Sequence, residues 1–325
     1  MIALRRLPLL LAALLVAGPL AAADAWSPAK PIRLIVGYAP GSGADQVGRL
    51  VANKLQETFR QGVIVDNKPG AGGAIGAQEV ARAAADGYTL LLAALPQIAI
   101  APASNQSLPY QPQKDFAPIT ELVGTDLVLI TNPQKVPANS VAEFVTWAKA
   151  QPVVFMGDPG PGTVGHFGSF VFANALKLKI ESVHYKSTGD SMTGMLSGDI
   201  NAQFVPHAVA LAQVKAGKLR ALVTTGPSRS ALFPDAPTFK EAGYPDLEFT
   251  SWYAIFAPAK TPTEILDRIN AEAVKAVQSP DLRAKLEDAG LRVTGTSRDD
   301  FARQVKNDTV RWGKIVQASG FKEQN

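Results

Sequence analysis

Val36-Gly37-Tyr38-Ala39-Pro40-Gly41-Ser42-Gly43-Ala44-Asp45 joins an apolar, strand-like run, Pro31–Ala39, to a helical pattern, Ala44–Phe59. In that pattern Val47, Leu50, Val51, Leu55 and Phe59 fall on one face. The design recurs at Met156-Gly157-Asp158-Pro159-Gly160-Pro161-Gly162-Thr163-Val164-Gly165, again between a strand-like run and a helical pattern. Glycines let the backbone approach a ligand, and a helix start offers unpaired N–H groups with a partial positive charge. Each loop therefore reads as an anion cradle, and two cradles on two lobes would form a clamp. A third glycine stretch, Gly70–Gly76, reads as a turn packed against the first loop.

Working outward, strand and helix patterns alternate along the chain, which predicts an α/β fold with largely parallel sheets. Strands are expected at 62–67, 88–94, 126–131, 153–157, 183–186, 202–205, 221–225 and 250–257. Helices are expected at 75–85, 140–149 (capped by Ser140), 164–176, 192–197, 208–216, 262–279, 280–289 and 299–318. The best-fitting division is two lobes, 26–125 with 250–325 and 126–249. Two crossings near Thr125 and Thr250 would act as a hinge. The pattern by itself leaves open a single larger α/β domain.

Met1–Arg6 is basic, Leu7–Leu20 is apolar, and Ala21-Ala22-Ala23 offers small residues for cleavage, so residues 1–25 read as a signal peptide. The expected location is the periplasm. The formal charge of +4 includes Arg5 and Arg6 of that leader, which leaves no basic footprint for nucleic acid. The chain has no cysteine, which excludes disulfides, thiolate metal sites and a cysteine nucleophile. His166, His184 and His207 show no metal-binding spacing, and neither a Gly-x-Ser-x-Gly elbow nor a Walker A loop is present. No catalytic residue, metal or cofactor is expected. Gly160–Gly165 does match the dinucleotide fingerprint. Pro159 and Pro161, however, remove N–H groups from the cradle, and the acidic Glu181 falls at the start of the next strand instead of its end.

The loop Gly37–Asp45 resembles the first loop of the tripartite tricarboxylate transporter solute-binding proteins, the Bug family. The resemblance continues in order through Asp66–Gly76, Asp86–Leu91, Pro109-Tyr110 with Lys114-Asp115-Phe116, and Gly160–Thr163 with His166-Phe167. It runs on through His184-Tyr185-Lys186, Ala216–Leu222, Pro234–Thr238, Ser251-Trp252-Tyr253 and Arg311–Lys314. It implies a two-lobed periplasmic binding protein (type 2, Venus-flytrap), each lobe a mostly parallel sheet flanked by helices. Such a protein acts as a monomer that captures a small carboxylate and presents it to the membrane permease of the transporter. A secreted enzyme using the same cleft, or a ligand-sensing subunit for a membrane kinase, are the alternatives.

On this reading the ligand contacts are Tyr38, Ala39, Pro40, Gly41, Ser42, Gly43, Ala44 and Asp45 on one side, with Asp45 bracing the loop. Gly160, Gly162 and Thr163 form the other side, and Ala94, Val205 and His207 lie between. Two departures from the family bear on specificity. Val205 stands where relatives commonly have Asp. Ala94-Leu95-Pro96-Gln97-Ile98 stands where relatives often carry hydroxyls and a histidine. The first argues against an amino-acid ligand, since such an Asp would suit an ammonium or hydroxyl; the second loses polar donors and favours an apolar or aromatic monocarboxylate over citrate.

Overall fold

The computed structural model describes residues 26–322. The signal-peptide reading of residues 1–25 lies outside the described residues. The chain begins with β1 (Ile32–Val36), α1 (Gly43–Phe59), β2 (Val63–Asn67), α2 (Ala74–Ala81) and β3 (Thr89–Ala94). A π-helical turn, Pro96–Ile100, runs into α3 (Ala101–Ser104). Next, α4 (Pro112–Asp115) opens β4 (Phe116–Thr125). Only Asp126 separates β4 from β5 (Leu127–Thr131).

A second group of elements follows: α5 (Val141–Lys149), β6 (Val154–Asp158), α6 (Val164–Leu176), β7 (Ile180–His184), α7 (Thr188–Ser197), β8 (Ala202–Pro206), α8 (His207–Lys215) and β9 (Arg220–Thr224). The chain returns through β10 (Ser251–Pro258), α9 (Thr263–Gln278), α10 (Pro280–Asp288), β11 (Arg292–Val293) and α11 (Arg298–Ser319). Among the described residues no helix is long and apolar enough to cross a membrane.

The strands form two sheets, ordered β11-β4-β10-β3-β1-β2 and β7-β6-β8-β5-β9. Both are mixed. In the first, β1, β2 and β3 are parallel and β10 runs antiparallel to β3 and β4. In the second, β6, β7 and β8 are parallel and β5 runs antiparallel to β8 and β9. The expectation of largely parallel sheets missed a consequence of connectivity. The βαβ strands end on the side where the chain crosses between sheets, whereas β5 and β10 begin there. The register records it: Leu127, first in β5, pairs with Pro206, last in β8, and Ser251, first in β10, pairs with Thr125, last in β4.

Each sheet buries apolar helix faces. Val47, Val51, Leu55 and Phe59 of α1 pack with Leu34, Leu90 and Ile255 of the first sheet, as the helical period requires. Ser140 caps α5 by accepting the Glu143 N–H, as expected. β4 and β11 were not expected. Pro118, Thr120 and Glu121 interrupt the apolar run of β4, and their polar groups are met from far along the chain. Thr120 donates to the Thr296 carbonyl at 2.9 Å, and Gln304 donates to the Glu121 carboxylate.

Candidate ligand-binding site

The two glycine loops face each other across a cavity of about 310 Å³. From the first sheet's side it is lined by Tyr38, Ser42, Ala44, Ala71, Gly72, Ala94 and Pro96, and from the second by Gly162, Thr163, Val164, Gly165, Phe204 and Pro206. Thr125, Leu127 and Ser251, where the chain crosses between sheets, complete one wall.

The two loops are built alike. In the first, the Gly41 N–H donates to the buried Asp45 carboxylate at 2.8 Å, and the Ser42 hydroxyl caps α1 by accepting the Asp45 N–H at 3.3 Å. In the second, the Gly160 N–H donates to the buried Asp158 carboxylate at 2.9 Å, and the Thr163 hydroxyl caps α6 by accepting the His166 N–H at 3.3 Å. Each start then leaves two N–H groups without a protein acceptor among the described residues: Gly43 and Ala44 on α1, Val164 and Gly165 on α6. Glycine is required at 165, because a Cβ there would stand 2.9 Å from the Phe204 carbonyl oxygen.

Both anchoring carboxylates find their side-chain partners outside the cavity lining. Burial works against the charge of Asp45, but the Arg49 guanidinium, 2.9 Å from Oδ1, and the Gly41 N–H hold it below the usual carboxylate range. Burial pushes Asp158 up, partly offset by His184, whose Nδ1 lies 2.9 Å away. Among the described residues, no Lys, Arg or His lines the cavity. Its polar groups are the helix-start N–H groups, one asparagine and neutral hydroxyls. Burial raises the phenols of Tyr38 and Tyr253, so both stay protonated donors. Among the described residues, no group of three or more His, Asp or Glu is placed to hold a metal.

Of the residues singled out from the sequence, Tyr38, Ser42, Ala44, Ala94, Gly162 and Thr163 line this cavity. Gly43 borders it, since a Cβ there would stand 2.8 Å from the lining Tyr253 hydroxyl. Ala39, Pro40 and Gly41 are exposed outside the lining, while Asp45 and Gly160 serve the loops' internal hydrogen bonds.

Val205 and His207 need correction. Strand alternation sends Phe204 and Pro206 to the cavity and Val205 to the opposite face, where it packs with Val128 and Ile130. His207 opens α8 pointing away, its Nδ1 3.1 Å from the Ser230 hydroxyl, in a separate recess that also holds Asp126 and Arg292. Leu95 and Ile98 are core residues. Gln97 is a buried brace, accepting the Ala94 N–H and donating to the Gly73 carbonyl, both at 2.9 Å.

The third glycine stretch packs against the first loop, as read: a Cβ on Gly37 would meet the Gly73 carbonyl oxygen at 2.6 Å. Its Ala71 and Gly72 also reach the cavity. Tyr110, Thr125, Ser251 and Tyr253 are further lining residues not singled out as contacts from the sequence. Tyr110, Ser251 and Tyr253 lay within quoted motifs; Thr125 was read as a crossing between lobes, and nothing in the sequence marked it as a contact. A larger, shallower groove of about 640 Å³ between α6 and α11 has no free helix start.

Two mixed α/β sheets joined by crossing strands, with paired helix starts turned on one cavity, define a two-lobed solute-binding protein. Residues 47–321 match the family described as the tripartite tricarboxylate transporter family receptor, and the chain belongs to that family. Protein BugT of Bordetella pertussis is 32% identical over 297 residues, covering 91% of each chain. A solved structure described as a periplasmic transporter is 36% identical with a TM-score of 0.79, covering 91% of this chain and 99% of that one. The R. palustris protein Rpa4515, solved with adipate, is 28% identical with a TM-score of 0.80 over the same shares. The family is one of periplasmic binding proteins.

Proposed function

We propose that this protein captures a small carboxylate in the periplasm and delivers it to a tripartite tricarboxylate transporter-type permease. The observation that carries the reading is the pair of opposed helix starts, with the N–H groups of Gly43 and Ala44 on one side and of Val164 and Gly165 on the other. They border a cavity into which, among the described residues, no cationic side chain is set. Unpaired N–H groups at a helix start favour an anion through both hydrogen bonds and the helix dipole. One carboxylate group shared between both loops would tie the lobes together. Closure would pivot on the crossings near Thr125 and Thr250, between lobes 26–125 with 250–325 and 126–249. Binding energy shifts that equilibrium only through contacts made in the closed state.

The relative solved with adipate supports the carboxylate class. The apolar walls, among them Ala94, Pro96, Leu127 and Phe204, favour a ligand with an apolar body. Citrate would bring three negative charges against lining residues that include no Lys, Arg or His. The protein acts as a monomer and performs no chemistry on its ligand. Native mass spectrometry of freshly purified protein, followed by calorimetry, tests this reading. A retained or titrated monocarboxylate is the expected result; tight citrate binding with no response to monocarboxylates would overturn the preference.

A further inference from the structure

Thr125 is the last residue of β4 and lies on the cavity wall, 7% exposed. Its hydroxyl has no hydrogen-bond partner among the described residues. Two other buried strand threonines are paired, Thr120 donating to the Thr296 carbonyl at 2.9 Å and Thr224 to the Pro237 carbonyl at 3.3 Å, whereas Thr131 of β5 is also unpaired but lies off the cavity, so Thr125 is distinguished by its place on the wall. A buried hydroxyl left unpaired costs free energy, so its position on a cavity wall calls for a partner supplied from the cavity. Ser251, its register partner in β10, lines the same wall. The two crossing strands thus pair two hydroxyl-bearing residues on the cavity wall, on elements other than the two helix starts that would hold the carboxylate.

We infer that Thr125, supported by Ser251, is a specificity-determining residue that binds an uncharged oxygen, a hydroxyl or carbonyl, on the body of the ligand. The inference rests on the carboxylate reading above and narrows it to an oxygen-bearing carboxylate. A hydroxyl both donates and accepts, so it suits a neutral oxygen of either kind. A second carboxylate at this wall would be buried with no Lys, Arg or His among the lining residues to offset its charge.

The test is calorimetric titration of the mature protein with hexanoate, its 2-, 3- and 6-hydroxy derivatives, and adipate. The same series is run on Thr125→Val, which keeps the shape and removes the hydroxyl, and on Thr125→Ser, which keeps the hydroxyl. At least one hydroxyhexanoate should bind the native protein roughly ten-fold tighter than hexanoate, the worth of one good hydrogen bond. Thr125→Val should bring that ratio to about one, and Thr125→Ser should restore it. Ser251→Ala should lower it in part.

A ratio that survives Thr125→Val, or no advantage for any hydroxy derivative, overturns the inference while leaving carboxylate binding intact. An adipate preference that disappears in Thr125→Val places a second carboxylate at this wall and overturns the neutral-oxygen assignment. No binding of any carboxylate to the native protein refutes the underlying reading itself.

Discussion

The guanidinium of Arg292, on the edge strand of the first sheet, grips the carboxylate of Asp126, the single residue between β4 and β5, at 3.3 and 3.4 Å. Two glycines make room for the pair. A Cβ on Gly124 would stand 2.3 Å from the Arg292 guanidinium, and one on Gly226 would stand 2.3 Å from the Asp126 carboxylate. Asp126 is 7% exposed and about a third of the Arg292 side chain is exposed. Arg292→Leu would leave a buried carboxylate short of its partner. The expected cost is about 1–3 kcal/mol in urea unfolding, below the full penalty for a fully buried pair. Because the pair sits at a chain crossing, small-angle scattering of the unliganded variant should also show a changed distribution of lobe separation. Native-like stability together with unchanged scattering would remove the pair from any role at the crossing.

Gly226→Ala tests the socket separately. Asp126 is short and Gly226 is held close to it, so the added methyl forces backbone movement instead of a simple side-chain swing. Overpacking of this kind costs roughly 1–3 kcal/mol. Gly124→Ala should cost less, because the atom it meets is the far end of a longer side chain. Equal losses in the two variants would show that the glycines are not selective sockets.

How much of this was legible in the sequence depended on the range of the forces involved. The two ligand loops were readable because everything that makes them is local: a glycine, a capping hydroxyl and a helical period within ten residues. Ser140 and α5 were readable for the same reason. β4 was not, since Glu121 and Thr120 owe their burial to Gln304 and Thr296, about 180 residues away in the chain. Val205 and His207 failed on strand parity. A choice of neighbour along β8 moves a side chain to the other face, and only the cavity shows that Phe204 and Pro206 are on the near one. Thr125 had no motif around it; its unpaired hydroxyl is visible only once burial is known.

Thr163 carries two hydrogen bonds within its own loop, accepting from the His166 N–H and donating to the Gly160 carbonyl at 2.9 Å. Thr163→Ala therefore removes a helix cap as well as a cavity-lining hydroxyl. It should lower stability by about 1 kcal/mol and weaken ligand binding, whereas Thr163→Ser should keep both. Calorimetry with chemical denaturation on the pair separates the effects. Loss of stability without loss of affinity would confine Thr163 to capping.

Gly43 stands at the opposite helix start with a free N–H and the Tyr253 hydroxyl beyond it. Gly43→Ala sets a methyl carbon 2.8 Å from that hydroxyl, so the Tyr253 ring must shift within the cavity. The residue is exposed and already helical, so alanine suits the backbone and stability should change by no more than about 1 kcal/mol in either direction. Affinity should fall by roughly ten-fold or more. An unchanged affinity would place the ligand away from the α1 start.

His166 supplies the last prediction, because it ties the second loop to pH. Its Nδ1 accepts the Gly162 N–H at 3.3 Å, so the ring must be neutral on that side to hold the loop. Burial, and then repulsion from His184 with its ring centroid 4.8 Å away, pull the His166 pKa from 6.5 down to about 4. The other groups facing it are Asp158, bonded to His184, and the rings of Phe167 and Phe321. A pKa lowered on folding means that the unfolded chain binds more protons between those two values. The stability from neutral His166 is therefore fully present above pH 6.5 and is lost as pH falls through about 4. His166→Gln offers an amide oxygen to the same N–H and does not titrate. Thermal and urea unfolding from pH 7 to 4 should show a flatter pH dependence in His166→Gln, by up to about 1.4 kcal/mol per pH unit in that window. Ligand affinity should also fall less with acidification in the variant, because its second loop keeps an acceptor for Gly162. Parallel pH profiles for the native protein and the variant would show that His166 does not titrate in this range and that the loop is held by Thr163 and Asp158 alone.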